Sequence, residues 1–166
     1  QLTDAPCHNV HPYYNQEGFF DNSGKYLFAS NRSGKGQIYA VEIASGKIVQ
    51  LTDSSDPPVL AKIETRSDGE AGSAGFTSDP VRGLIYYCRG KLAYRLDIET
   101  QQEEVIAESP PGVGPLGGPD LSSCGRYMVF SCRPESAQEL GAWVGSYPNY
   151  RDGTETLVLL VDLQEG

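Results

Sequence analysis

An all-β fold is predicted by three observations: short apolar runs without helical spacing, an abundance of turn-forming residues, and internal repeats. The 166 residues include 19 Gly, 11 Pro and 10 Tyr, with 39% of the chain hydrophobic and 21% charged. That balance is globular, and Gly and Pro between short apolar runs point to many strands joined by tight turns. The repeats decide the architecture, because self-similarity at roughly 40 to 50 residues marks a β-propeller.

Three copies align on a polar Gly turn followed by an apolar strand that ends near Arg: Asp21 to Arg32, Ser78 to Arg89, and Leu121 to Arg133. A second strand recurs downstream, in Ile38 to Gly46, Leu92 to Gln101, and Thr156 to Gly166, with Glu42, Asp97 and Asp162 at matching positions. Each ends in a short polar turn that suits a hairpin. The strand beyond it is Lys47 to Thr52 in copy one and Glu103 to Ala107 in copy two; copy three has none. Ahead of each Gly turn, Tyr13 to Phe20, Gly72 to Thr77 and Gly118 to Leu121 are expected as innermost strands, the last two rich in small residues that fit a crowded axis.

Four strands per copy make a propeller blade. The expected organisation is therefore residues 12–53 for blade one, 71–108 for blade two, and 117–166 for blade three without its outer strand. Gln1 to Asp4 duplicates Gln50 to Asp53 and reads as the end of a preceding blade's outer strand. About three blades cannot close a ring, which needs roughly four to eight. The chain is thus expected to be part of a larger propeller, completed by further C-terminal blades or by self-association through unpaired strand edges.

A formal net charge of −9 and a pI near 4.6 exclude nucleic acid as an expected partner, since that affinity leans on clustered Lys and Arg. No apolar run approaches the ~20 residues that span a bilayer, so no membrane partner is expected. The N-terminus has neither the basic nor the apolar part of a signal peptide and starts without Met, which leaves the compartment open, with cytoplasm preferred to periplasm. Cys7, Cys88, Cys124 and Cys132 have no metal-type spacing and are expected as buried free thiols. The residues between Cys124 and Cys132 read as one strand, which would hold the two sulfurs apart.

Candidate site residues follow from the blade scheme. His11 and Tyr13 enter the first innermost strand, from which a side chain can reach a central channel; the alternative is capping or packing. Arg32 and Arg133 close equivalent strands. Arg32, in the loop Asn31-Arg32-Ser33-Gly34, is the better candidate for a bidentate contact with a substrate carboxylate, the alternative being a bridge between blades. The substrate-binding set is therefore His11, Tyr13 and Arg32. No metal site is expected, because Cys7, His8 and His11 lack a nearby fourth ligand. Asp97 and Asp120 sit at repeat positions and read as structural. Gly112 to Gly118 lacks the Lys-Ser/Thr of a phosphate loop and reads as a linker. Tyr147 to Gly153 is an aromatic, polar insertion suited to a rim loop.

Phe28 to Gly34, Gln37 to Tyr39 and Ser45 to Thr52 resemble the repeat of TolB-type propellers. More narrowly, Gln1 to Asp4, His8 and His11 ahead of Tyr13-Tyr14, Tyr86-Tyr87, Leu96 to Thr100 and Glu104 to Ile106 resemble the N-terminal half of oligogalacturonate lyases. That resemblance implies a seven-bladed propeller that cleaves short galacturonate oligomers by β-elimination, with a His base and a divalent metal, typically manganese. It also implies that the base and the metal ligands lie in later blades. With two His in the chain, no catalytic residue and no cofactor are assigned to it, and the chain alone is expected to be inactive. The implied partner is an oligogalacturonide or another small acidic saccharide. The segments from Asp56 to Ala74 and from Trp143 to Thr156 depart from the family pattern. The alternative is a non-catalytic TolB-like propeller that binds protein or carbohydrate; a peptidase gating propeller would need a Gly-x-Ser-x-Gly elbow, which the sequence lacks.

Overall fold

The computed structural model describes residue 4 and residues 6–12, 16–53, 75–135 and 157–164. All regular structure in them is strand, in three antiparallel sheets. Sheet one holds β1 (Asn9–Val10), β2 (Phe19–Phe20), β3 (Lys25–Ser30), β4 (Gln37–Glu42) and β5 (Ile48–Gln50), in the order β1-β3-β4-β5 with β2 also on β3. Sheet two runs β6 (Phe76–Asp79), β7 (Leu84–Arg89), β8 (Leu92–Asp97) and β9 (Glu103–Glu108). Sheet three runs β10 (Gly117–Leu121), β11 (Tyr127–Cys132) and β12 (Leu157–Asp162).

The middle hairpins share one register. Lys25 pairs with Glu42, Leu84 with Asp97 and Tyr127 with Asp162, and each ladder runs on to Ser30–Gln37, Arg89–Leu92 and Cys132–Leu157. Positions 25, 84 and 127 are thus equivalent, as are 42, 97 and 162. The alignment read from the sequence holds here, because a two-residue period on a half-buried sheet leaves little room for slippage. The turn after each hairpin is also shared. Ile43, Ile98 and Leu163 donate their amides to the carbonyls of Gly24, Gly83 and Arg126. Gly46 and Gln101 close the first two turns in the left-handed region, at φ of 70° and 57°.

Alternation along the strands builds two core layers. Leu27, Ala29, Ile38 and Ala40 of sheet one pack against Phe76, Ile85, Tyr87 and Leu96 of sheet two. The other face of sheet two, with Tyr86 and Ala93, packs against Met128, Phe130 and Cys132 of sheet three. A third cluster, Phe28, Tyr39 and Val41, lies on the face of sheet one turned away from sheet two.

Several expectations need correction. Of the first innermost strand expected over Tyr13 to Phe20, residues 13–15 lie outside the described residues; among those described, two short strands, β1 and β2, share the edge of β3, pairing Asn9 with Ser30 and Phe19 with Tyr26. Residues 11–12 and 16–18 belong to neither strand, and Pro12 has no amide to give a ladder. Innermost strands β6 and β10 fall at Phe76–Asp79 and Gly117–Leu121, and residues 72–74 lie outside the described residues. The outer strands are β5 and β9; among the described residues sheet three has no fourth strand. Arg89 ends β7, whereas Arg32 and Arg133 lie beyond the ends of β3 and β11 and are not equivalent to it. All four cysteines are free, but only Cys132 is buried. Cys7 and Cys88 are half-buried and Cys124 is exposed in the turn before β11.

Candidate functional site

Two clefts stand out among the described residues. The first, of about 400 Å³, lies where the innermost strands meet, and its lining includes Gln16, Glu17, Asp79, Arg82, Asp120 and Cys124. Its walls are tied together from three sheets. Gln16 Nε2 donates to the Pro119 carbonyl at 3.0 Å, and Ser78 Oγ donates to the Glu17 carbonyl at 2.5 Å. Arg82 is bound to Asp79 at 2.7 Å and reaches the Gly125 carbonyl at 3.4 Å. A Cβ at Gly125 would fall 1.9 Å from the Arg82 guanidinium, so glycine gives that arginine its path. With its charge met by Asp79, Arg82 acts as a latch between turns. Cys124, hydrogen-bonded to Ser122 at 3.3 Å and beside Arg126, has its thiol held below the ordinary range.

The second cleft, of about 610 Å³, opens at the end of sheet one and is lined by Pro6, Cys7, His8, Asn31, Arg32 and Gly34. The segment before β1 is held there by the His8 amide on Asn31 Oδ1 at 2.9 Å. Arg32 is oriented with care: Nη2 donates to Asn9 Oδ1 at 3.2 Å and Nε to Ser30 Oγ at 3.3 Å. Its guanidinium lies 5.2 Å from the ring centres of both Phe28 and Tyr39, which are cross-strand neighbours stacked at 5.7 Å. Both hydrogen-bond partners are neutral. Among the described residues Arg32 has no carboxylate partner, whereas Arg82, Arg89, Arg95 and Arg126 each have one.

Sheet two carries the counterpart. Tyr87 and Tyr94, at the positions of Phe28 and Tyr39, stack at 5.6 Å, and Arg89 lies 3.8 Å from the Tyr94 ring centre. There Glu103 completes the group: one oxygen accepts from Arg89 Nη2 and the other from the Tyr87 hydroxyl. Burial, then the hydrogen bond to Glu103, pushes the Tyr87 hydroxyl above its usual range. Glu103 pairs with Leu96; the equivalent pair in sheet one is Ile48 with Val41. The register position of the acid that neutralises Arg89 is therefore held in sheet one by the apolar Ile48.

Of the residues singled out from the sequence, Arg32 lies on the second cleft. His11 does not: it is exposed between β1 and β2, its Nδ1 against the neighbouring Pro12 carbonyl. Tyr13 and the loop from Tyr147 to Gly153 lie outside the described residues. His8, not chosen for the site from the sequence, lines the cleft; the signal for it was the pairing of its backbone with Asn31, which no local pattern encodes. Asp120 lines the first cleft, and Asp97 accepts the amides of Glu99 and Thr100 at 3.0 and 2.8 Å, as its repeat position implied. Among the described residues no group of three or more His, Cys, Asp or Glu is placed to hold a metal ion.

No family model and no curated protein sequence matches the chain. Solved structures do match. An oligogalacturonate lyase from Vibrio parahaemolyticus superimposes with a TM-score of 0.75 at 20% identity, over 98% of this chain and 40% of that one. An oligogalacturonate lyase in complex with manganese gives 0.76 at 19% identity, over 99% and 41%. A TolB protein from Agrobacterium tumefaciens gives 0.59 at 22% identity, over 99% and 49%. At these identities the likeness is one of fold, and with the three antiparallel sheets it supports a β-propeller. The chain spans less than half the length of the structures it matches.

Proposed function

We propose that this chain is the N-terminal portion of a lyase-like β-propeller acting on short galacturonate oligomers or related acidic saccharides. The observation that carries the reading is the superposition on two oligogalacturonate lyases along nearly the whole chain, at higher TM-scores than on the TolB protein. The reading includes a ring of about seven blades, of which the three sheets are the first. One structural feature supports more sheets. Val158 and Leu160 of sheet three are 72% and 62% exposed at positions where sheet one holds the buried Ile38 and Ala40.

In this account the described residues supply scaffold and a contact to substrate rather than the elimination step. The manganese bound by one structural neighbour has no counterpart set of ligands among the described residues, so no step is routed through a metal here. Arg32 is the favoured substrate contact. His11 and Tyr13 stay in the proposal as contacts from the segment between β1 and β2.

The test is a β-elimination assay on trigalacturonate with manganese, following the ultraviolet absorbance of the unsaturated product. It is run on this chain and on a longer protein that carries it. The reading expects turnover by the longer protein and none by this chain. A longer protein that binds but never cleaves would instead favour a non-catalytic, TolB-like binding propeller.

A further inference from the structure

We propose that the cleft at the end of sheet one is a carboxylate-binding site with Arg32 as its receptor, left open because Ile48 holds, in the register of sheet one, the position of the acid that neutralises Arg89 in sheet two. That the carboxylate belongs to a uronic acid rests on the functional reading above; the anion site itself rests on the comparison of sheets.

A half-buried guanidinium normally finds a carboxylate, since desolvation of an uncompensated charge is costly. Arg89 has Glu103. Arg32 lies over an equivalent aromatic pair, and its two side-chain hydrogen-bond partners, Asn9 and Ser30, fix its plane without neutralising it. Five N–H donors are available on a guanidinium, and two are used here, Nε–H and one on Nη2. The remaining donors suit a planar, two-oxygen anion, which an arginine fork binds in bidentate fashion. Among the described residues the rest of the lining contains no acidic side chain: Pro6, Cys7, His8, Asn31 and Gly34 offer no competing negative charge. In a chain of net charge −9, that makes the cleft a local exception to the overall field. Stacking of the guanidinium on Phe28 and Tyr39 holds it in place before the ligand arrives, so little side-chain freedom is lost on binding.

The experiment is calorimetric titration of the full chain with galacturonate, acetate and neutral galactose, on wild type, Arg32→Gln, Ile48→Glu and Ile48→Gln, each checked for folding by its thermal melt. Galacturonate is expected to bind wild type and Ile48→Gln, and to bind Arg32→Gln and Ile48→Glu at least roughly tenfold more weakly. Ile48→Glu is the informative variant, because it keeps Arg32 and supplies an internal competitor of the kind that Glu103 is. Acetate binding as well as galacturonate, with no lyase activity in the longer protein, would support the carboxylate site while removing the lyase reading. Unchanged affinity in Arg32→Gln, galactose bound as well as galacturonate, or no binding to folded wild type would each overturn the proposal.

Discussion

Arg89 in sheet two and Arg32 in sheet one lie over equivalent cross-strand aromatic pairs, yet one is closed by Glu103 and the other lines a cleft in a sheet where Ile48 stands at the register position of that acid. The same register therefore yields two different objects. In sheet two the group is an internal tie between β7, β8 and β9, lodged in the layer against sheet one. In sheet one the fourth strand carries Ile48 at that position, and Arg32 is a held cation with no carboxylate partner among the described residues. A repeat fold can thus convert structural parts into a binding site by omission, without changing the backbone that positions them.

The largest expected effect of breaking this comparison is on the closed side. Glu103→Gln leaves Arg89, whose side chain is 15% exposed, without its counter-ion, and weakens the bond from Tyr87; a loss of about 2 kcal/mol in urea unfolding is expected. Arg32→Gln should cost less, about 1 kcal/mol, because only stacking and neutral hydrogen bonds are lost. Equal losses in the two variants would show that Arg32 has a counter-ion after all.

A smaller effect separates the turns. Gly46 and Gln101 hold equivalent left-handed positions, donating to the Glu42 and Asp97 carbonyls, and only Gln101 bears the steric cost. Gln101→Gly should raise the unfolding free energy of sheet two's host chain by about 0.5–1 kcal/mol, and Gly46→Gln should lower it by a similar amount.

How far the sequence alone reached is clear from particular residues. The hairpins from Lys25 to Glu42, Leu84 to Asp97 and Tyr127 to Asp162 were legible because alternation and a terminal acid repeat in all three. The innermost strand of sheet one was not: β1 and β2 are two residues each, too short for a periodic signal, and the edge is assembled from both sides of an excursion. Arg32 was legible as a candidate from its loop. What distinguishes it, an apolar residue at the register position of Glu103, required the pairings of Ile48 with Val41 and Glu103 with Leu96, which no local pattern encodes. The place of His11 was not legible: it is exposed between two short strands rather than in the one innermost strand the sequence suggested.

The acid limb of stability should also divide by sheet. The amide and hydroxyl of Thr100, then the Glu99 amide, hold the Asp97 carboxyl below its usual range, and Arg126 does so for Asp162. Carboxyls lowered in the folded state stabilise it above their unfolded value near 3.9, and that stability is lost as pH falls through the lowered folded values. Asp97→Asn should therefore be less stable than wild type at pH 7 and converge with it near pH 2 in urea midpoints.

The smallest effect is chemical rather than energetic. Burial pushes the Cys88 thiol up to about 12, while Cys124 is exposed and held below its usual range. Iodoacetamide at pH 8 should label Cys124 well before Cys88, and Cys124→Ser should remove the fast phase. Rapid labelling of Cys88 would mean that the layer between sheets two and three opens.

The most direct measurement of the central claim is a crystal structure of the chain with digalacturonate. The account predicts a uronate carboxylate on the Arg32 guanidinium, with Arg89 still on Glu103. A sugar bound elsewhere, with Arg32 turned onto an acidic side chain of the protein itself, would contradict it.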